Sequence, residues 1–249
     1  MSELQHPDSR TFEQVADLYE RVRPSYPDEA VTWLADRLGI GAGSTVLDLG
    51  AGTGKLTRTL VRRAARVIAV EPGPEMLAQL RRAVPEAQPV LGSAEAIPLP
   101  DDVVDAVVCG QSFHWFRTDE ALREIRRVLR AGRGLGLIWN VRDPDDSLQN
   151  EITKLLEPFV PPGRPSLRAA VSAFVGRTFS EVEIHSVPFA QELDADGVVD
   201  RVASISFVAG APEAKRRELQ EVLRTLVGAR GGRVAFRYVT ESYVTFSVG

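Results

Sequence analysis

Four short stretches of this chain bring together residue types from which chemistry is made. The first is Asp48-Leu-Gly50-Ala51-Gly52-Thr-Gly54, an acid followed by three glycines at alternate positions. The second is Glu71-Pro72, an acid 21 residues after Gly50. The third is Ser93-Ala94-Glu95, and the fourth is Gln111-Ser-Phe113-His114-Trp115, which holds one of three histidines. Glycines in a tight turn remove the Cβ atoms that would keep a ligand off the backbone. An acid at the end of the next strand can accept both hydrogen bonds of a ribose diol. The pair therefore points to a nucleoside, although a strand-end Glu71 could equally cap a helix beginning near Pro74. A dinucleotide fingerprint would need its third glycine at position 55, where Lys55 stands. Glycines and Glu71 alone leave the kind of nucleoside open.

Elements must hold these residues in place, and the apolar spacing predicts them. Val46 to Leu49 reads as a buried strand end, and Leu56, Leu60 and Val61 follow the glycines at helical spacing. Continuing through residues 44–140, strands are expected at 44–49, 66–70, 88–91, 103–109 and 133–139, with helices at 54–64, 74–84 and 118–130. Strands separated by helices of this length imply right-handed crossovers and a parallel sheet covered on both faces. Gly50, Glu71, Gln111 and Asn140 then all fall at carboxyl ends of strands, where ligands bind in such sheets. Before this core, residues 11–38 read as two helices separated by Arg23-Pro-Ser-Tyr26-Pro, an appended lid or brace. Arg23 could pair with a cofactor carboxylate, an acidic substrate or a surface acid. Beyond residue 140 the rhythm breaks. Helices are expected at 146–156, 166–175, 194–206 and 212–227, a strand at 181–189, and a strand-rich close from Arg233 to Val248.

Composition bounds the function. A chain of 249 residues fits one α/β domain with an elaboration. Net charge of −4 gives no basic footprint, so nucleic acid is not expected as a partner. The single cysteine, Cys109, cannot form an internal disulfide and lies in an apolar strand, where a buried inert thiol is expected. No Cys/His cluster has zinc spacing, so no metal is expected. The first residues lack signal-peptide character and no apolar run approaches membrane-spanning length, so the expected location is cytoplasmic, without membrane contact.

Taken together, the G-x-G-x-G turn preceded by Asp48, the strand ending at Glu71, the loop Gly92–Asp102 leading to Cys109, and Arg126–Asn140 resemble class I S-adenosylmethionine-dependent methyltransferases. Phe12, Tyr19-x-x-x-Arg23-Pro-x-Tyr-Pro27, Ala94-Glu95, His114-Trp115 and Ile138-Trp-Asn140 look like the branch that includes trans-aconitate methyltransferases. The ubiquinone/menaquinone C-methyltransferase branch shares the core motifs. The resemblance covers about residues 12–140. It implies a Rossmann-like sheet of seven mostly parallel strands with helices on both faces and an antiparallel C-terminal strand pair. Residues 1–40 would be the lid, 41–140 the cofactor-binding core, 141–232 a helical cap over the site containing the sixth strand, and 233–249 the last strand.

The resemblance also implies a site. Asp48, Gly50, Ala51, Gly52 and Gly54 would pass the methionine part and ribose of S-adenosylmethionine. Glu71 and Pro72 would meet the ribose, Met76 the adenine face, and Ser93, Ala94 and Glu95 the adenine edge. Gln111, Tyr19 and Arg23 would border the methionine part. Tyr26, Phe113, His114, Trp115, Trp139 and Asn140 would face a small-molecule acceptor, with Phe116 in the same apolar lining. His114 could be a base for a phenol, alcohol or acidic carbon, a donor to a carboxylate, or a packing brace. The expected activity is O- or C-methylation by a monomer or homodimer, leaving S-adenosylhomocysteine as product. A non-catalytic S-adenosylmethionine-binding protein is the alternative.

Overall fold

Thr45–Leu49 forms β1 in the computed structural model, which describes residues 22–116, 118–160, 171 and 179–248. The further strands are β2 (Arg66–Glu71), β3 (Gln88–Leu91), β4 (Val104–Gly110), β5 (Leu129–Arg142), β6 (Glu183–Asp194) and β7 (Arg233–Phe246). They lie in the order β3-β2-β1-β4-β5-β7-β6. The first five pair in parallel, with Asp48 opposite Ala69 on one side and Val108 on the other. The last two form the antiparallel C-terminal pair. Strand order reverses between β1 and β4, and their carboxyl ends carry Gly50 and Gln111. The seven-stranded α/β architecture agrees with the sequence expectation.

The chain divides into two compact units. One holds residues 25–140, 165–187 and 240–249, and contains the four motif stretches. In this unit α1 (Asp28–Leu38) begins with Asp28 and Glu29, which suit the positive end of its dipole, and stops at left-handed Gly39. Its buried face of Ala30, Val31, Leu34, Ala35 and Leu38 shares a core with Val46, Val108 and Ile138. A Cβ on Gly134 or Gly136 of β5 would stand 2.7 Å from Leu38. Glycine there lets the helix close onto the sheet, so α1 is built into the core of its unit. The first N-terminal helix of the sequence reading lies outside the described residues, as does nearly all of 166–175.

The glycine turn leads into a shorter helix than periodicity suggests. Residues 54–64 were expected to be helical, but α2 spans only Thr57–Leu60, with turns on both sides. Its bonds mix spacings: Arg58 N–H reaches Gly54 O, whereas Thr59 N–H reaches Leu56 O. Apolar residues every three or four positions fit both geometries, so the pattern cannot tell them apart. Pro74–Ala83 (α3) and Asp119–Val128 (α4) follow the expected ranges closely. The other unit holds residues 1–24, 141–164 and 188–239. Here α5 (Ser147–Leu156) and α6 (Ala195–Ala203) are N-capped by the side chains of Asp146 and Asp194. With α7 (Ser206–Ala209) and α8 (Glu213–Gly228) they enclose a separate core that includes Ile152, Val202, Leu223, Phe236 and Tyr238. Among the described residues no helix is long and apolar enough to cross a membrane.

One ionisable group sits inside the parallel sheet. Asp48 is fully buried on β1 and accepts a 2.6 Å hydrogen bond from Thr57 Oγ1, while its Oδ1 finds no partner among the described residues. Burial raises its pKa to about 7; the Thr57 bond opposes this and the charge of Glu71 adds to it. Between about pH 4 and pH 7 the folded chain keeps a proton that the unfolded chain has released, so stability falls as pH rises through that window. Asp48→Asn cannot ionise. Its melting temperature relative to the parent should therefore climb between about pH 5 and about pH 8, as read by scanning calorimetry. A difference constant with pH would place the proton elsewhere.

Candidate functional site

The site is assembled where β1, β2 and β4 end. Gly50 N–H and Ala51 N–H both donate to Val70 O, at 2.9 and 3.1 Å, which turns the chain over the neighbouring strand. Gly50, Gly52 and Gly54 all have positive φ, at 68°, 57° and 89°. The three glycines do different work. A Cβ on Gly50 would stand 2.7 Å from Ser112 Cβ, and one on Gly54 would press on Leu80 and Val84 at 3.1 Å. One on Gly52 would meet nothing within 4 Å. Gly50 and Gly54 therefore serve packing, and Gly52 alone faces open space.

Glu71 ties this turn to the next. Its Oε2 accepts from Gly52 N–H at 2.8 Å and its Oε1 from Gly73 N–H at 2.9 Å. Pro72 beside it is half-buried, and Met76 of α3 is 5% exposed. Across from β2, Ala94 is buried while Ser93 and Glu95 are partly exposed. Their loop is clamped by α4. Glu124 accepts from Ile97 N–H, and Arg127 donates to the carbonyls of Ile97 and Leu99 and to Asp101. The Arg127–Glu124 pair holds the Glu124 carboxyl below the ordinary range. Nothing in the one-dimensional pattern linked Arg127 to this loop.

After β4, Gln111 adopts φ of 60°, unusual for a residue with a side chain. Ser112 Oγ donates to Leu49 O at 2.8 Å, locking the β4 turn to the β1 turn. Gln111 Nε2 lies 3.4 Å from Asn140 O. Asn140 in turn accepts from Thr240 Oγ1 at 2.7 Å and donates to Ser25 O at 3.2 Å. Tyr26 follows, and its hydroxyl would stand 2.7 Å from a Cβ on Gly110. Tyr26, Gln111 and Asn140 are thus gathered at the ends of β4 and β5. Strand-end placement made Gln111 and Asn140 legible; Ser112, Thr240 and Thr57 were missed because each acts through a contact distant in sequence.

The aromatic stretch splits by burial. Phe113 and Phe116 are buried and meet edge to face at 5.8 Å. His114 and Trp115 are partly exposed on the 3₁₀ turn Phe113–Trp115, with ring centres 4.7 Å apart. Trp139 is buried edge-on against Tyr243 at 5.7 Å. Cys109 is fully buried, and burial, with Asp48 nearby, pushes its thiol well above the ordinary range, so it is inert as a nucleophile. Arg23 belongs to the other unit and donates from Nε and Nη2 to Ser204 Oγ and O, at 3.0 and 2.8 Å. Tyr19 lies outside the described residues.

An open glycine beside a strand-end carboxylate is a place for a nucleoside, and comparison with known proteins identifies the kind. A family model described as a methyltransferase domain matches residues 47–135. An uncharacterized methyltransferase of Mycobacterium tuberculosis is 39% identical over 237 residues, 93% of each chain. One from Schizosaccharomyces pombe is 37% identical over 241 residues, 94% of this chain and 96% of its own. Among solved structures, a candidate type II methyltransferase from Anaeromyxobacter dehalogenans superposes with a TM-score of 0.67 at 25% identity, covering 90% of this chain and 97% of that one. These likenesses run the length of the chain, and they exclude the dinucleotide-dependent reading of the glycine turn. The chain belongs to the class I S-adenosylmethionine-dependent methyltransferases.

Proposed function

We propose that this methyltransferase methylates a small-molecule acceptor at oxygen or carbon, with carboxylic acids of the trans-aconitate type as the acceptor class. The observation that carries the cofactor side of this reading is the open space at Gly52 directly beside the Glu71 carboxylate. Bound there, S-adenosylmethionine supplies a methyl group on a sulfonium. Glu71, at the carboxyl end of β2, accepts from the ribose hydroxyls. Ala51 and Pro72 border that sugar, and Met76, Ser93, Ala94 and Glu95 take the adenine. Gln111 borders the methionine part. The buried Asp48, with one oxygen unpartnered among the described residues, gives the turn a carboxyl group that favours a cation when ionised.

On the acceptor side, Tyr26 and Asn140 orient the substrate, and Phe113, Trp115 and Trp139 supply apolar surface. Positioning the acceptor atom in line and excluding water is the main task of these residues. His114 donates a hydrogen bond to a carboxylate acceptor or removes a proton from a hydroxyl or acidic carbon, a role worth roughly 10²–10⁴-fold in rate. The enzyme acts on metabolites in the cytoplasm, and its net charge of −4 offers no basic footprint for nucleic acid.

Glu71→Ala should weaken S-adenosylhomocysteine binding by about 1.5–3 kcal/mol, the range for hydrogen bonds to a charged group, measured by calorimetry. Unchanged affinity would remove Glu71 from the site. The glycines separate packing from binding. Gly50→Ala should lower the melting temperature sharply through the Ser112 clash, whereas Gly52→Ala should cost only about 1 kcal/mol of backbone strain yet lose most cofactor affinity. Equal losses of stability in both variants would contradict this division. His114→Ala should slow transfer of labelled methyl with S-adenosylhomocysteine affinity unchanged, and a full-speed variant would leave His114 a bracing role only.

A further inference from the structure

The unit containing residues 141–164 and 188–239 holds a concentration of positive charge that the methyltransferase core does not use. Arg201 of α6 is 6% exposed, yet its Nε donates to the neutral hydroxyl of Tyr238, at 2.8 Å. Its guanidinium carbon lies 5.4 Å from the Tyr238 ring centre. Arg142, at the end of β5, donates from Nε to the neutral hydroxyl of Thr153, at 3.2 Å. Both terminal nitrogens of each arginine find no acceptor among the described residues, and neither arginine has an acidic partner among them. Arg23 reaches the same neighbourhood: its charge, with those of Arg201 and Arg142, acts on the Tyr238 hydroxyl. Burial and the charge of Arg201 both push the Arg142 guanidinium below its ordinary range, with Tyr238 acting the other way.

A second observation comes from α5. Gln149 is 1% exposed, and neither its amide oxygen nor its amide nitrogen has a partner among the described residues. It stands one turn before Thr153, on the same helix face as the hydroxyl that Arg142 holds. A buried amide left unpaired costs about 1–3 kcal/mol, and a pair of half-buried like charges adds to that. A protein carries such costs where a ligand relieves them.

We propose that Arg142 and Arg201, with Tyr238 and Gln149 beside them, form an anion subsite that takes the carboxylate of an organic acid. Guanidinium forks match the planar, two-oxygen geometry of a carboxylate. The Gln149 amide supplies an uncharged hydrogen bond, the Tyr238 hydroxyl holds Arg201 in place while donating to Gln191 Oε1 at 3.3 Å, and the surrounding apolar core favours an organic anion over a fully hydrated inorganic one. The identity of this anion as the methyl acceptor rests on the function proposed above; the subsite itself does not.

Calorimetric titration of the full chain, without cofactor, separates the two. The probes are trans-aconitate, citrate and succinate, with trimethyl trans-aconitate and inorganic phosphate as controls. At least one free acid should bind at millimolar concentration or better, and the triester should not. Arg142→Gln and Arg201→Gln should each weaken that binding roughly tenfold or more, the loss for a charged hydrogen bond, with S-adenosylhomocysteine affinity unchanged. Because the buried Arg201 variant could misfold, Arg142→Lys is the companion: it keeps the charge, loses the fork, and should also bind more weakly. No binding of any free acid, or equal binding by parent and Arg142 variants, overturns the proposal. Phosphate binding as tightly as the acids overturns the carboxylate assignment. If acids bind through these arginines but S-adenosylhomocysteine does not bind, the subsite stands and the cofactor reading fails.

Discussion

Two backbone amides meeting on one carboxylate organise the glycine-turn end of this enzyme's sheet. Gly52 and Gly73 belong to turns after different strands, and Glu71 accepts from both. Fixing two loops through one rigid strand end removes conformational freedom that a ligand would otherwise have to quench. The Ser112 hydroxyl does the same between β1 and β4 by bonding the Leu49 carbonyl. The three turns are therefore set before any ligand arrives, and the open space at Gly52 is a fixed feature of the fold.

How much of this could be read from the chain depends on whether the cause is local. The parallel strands and the helices Pro74–Ala83, Asp119–Val128 and Glu213–Gly228 follow from apolar period and capping residues, which are visible in short windows. The helix after the glycine turn was overestimated because its apolar spacing suits 3₁₀ and α turns alike. Strands β5 and β6 run longer than their apolar cores indicate. In β6 the extra length alternates between exposed and half-exposed residues, a pattern that pairing sustains and hydrophobicity alone does not announce. Motif residues at strand ends were legible because topology itself sends them to one edge of the sheet. Their supports were not: Thr57 beneath Asp48, Thr240 beside Asn140 and Arg127 on the loop after Glu95 lie 9, 100 and 30 residues from the groups they serve. Arg142 and Arg201 of the other unit were not legible because neither the end of β5 nor the pattern of α6 shows that a charged side chain there is removed from solvent.

The distribution of charge gives these features a common logic. In the unit with the glycine turn, two carboxyl groups stand close enough that Glu71 raises the pKa of Asp48. In the other unit, arginines crowd a tyrosine hydroxyl. Burial makes such groups costly: Asp48 is fully buried, and Arg201 is 6% exposed with no acidic partner among the described residues. Each unit nevertheless keeps one sign of charge in a partly desolvated setting, where electrostatic selectivity is greatest. A carboxyl cluster favours a cation over its neutral counterpart, and an arginine cluster favours a free acid over its neutral ester.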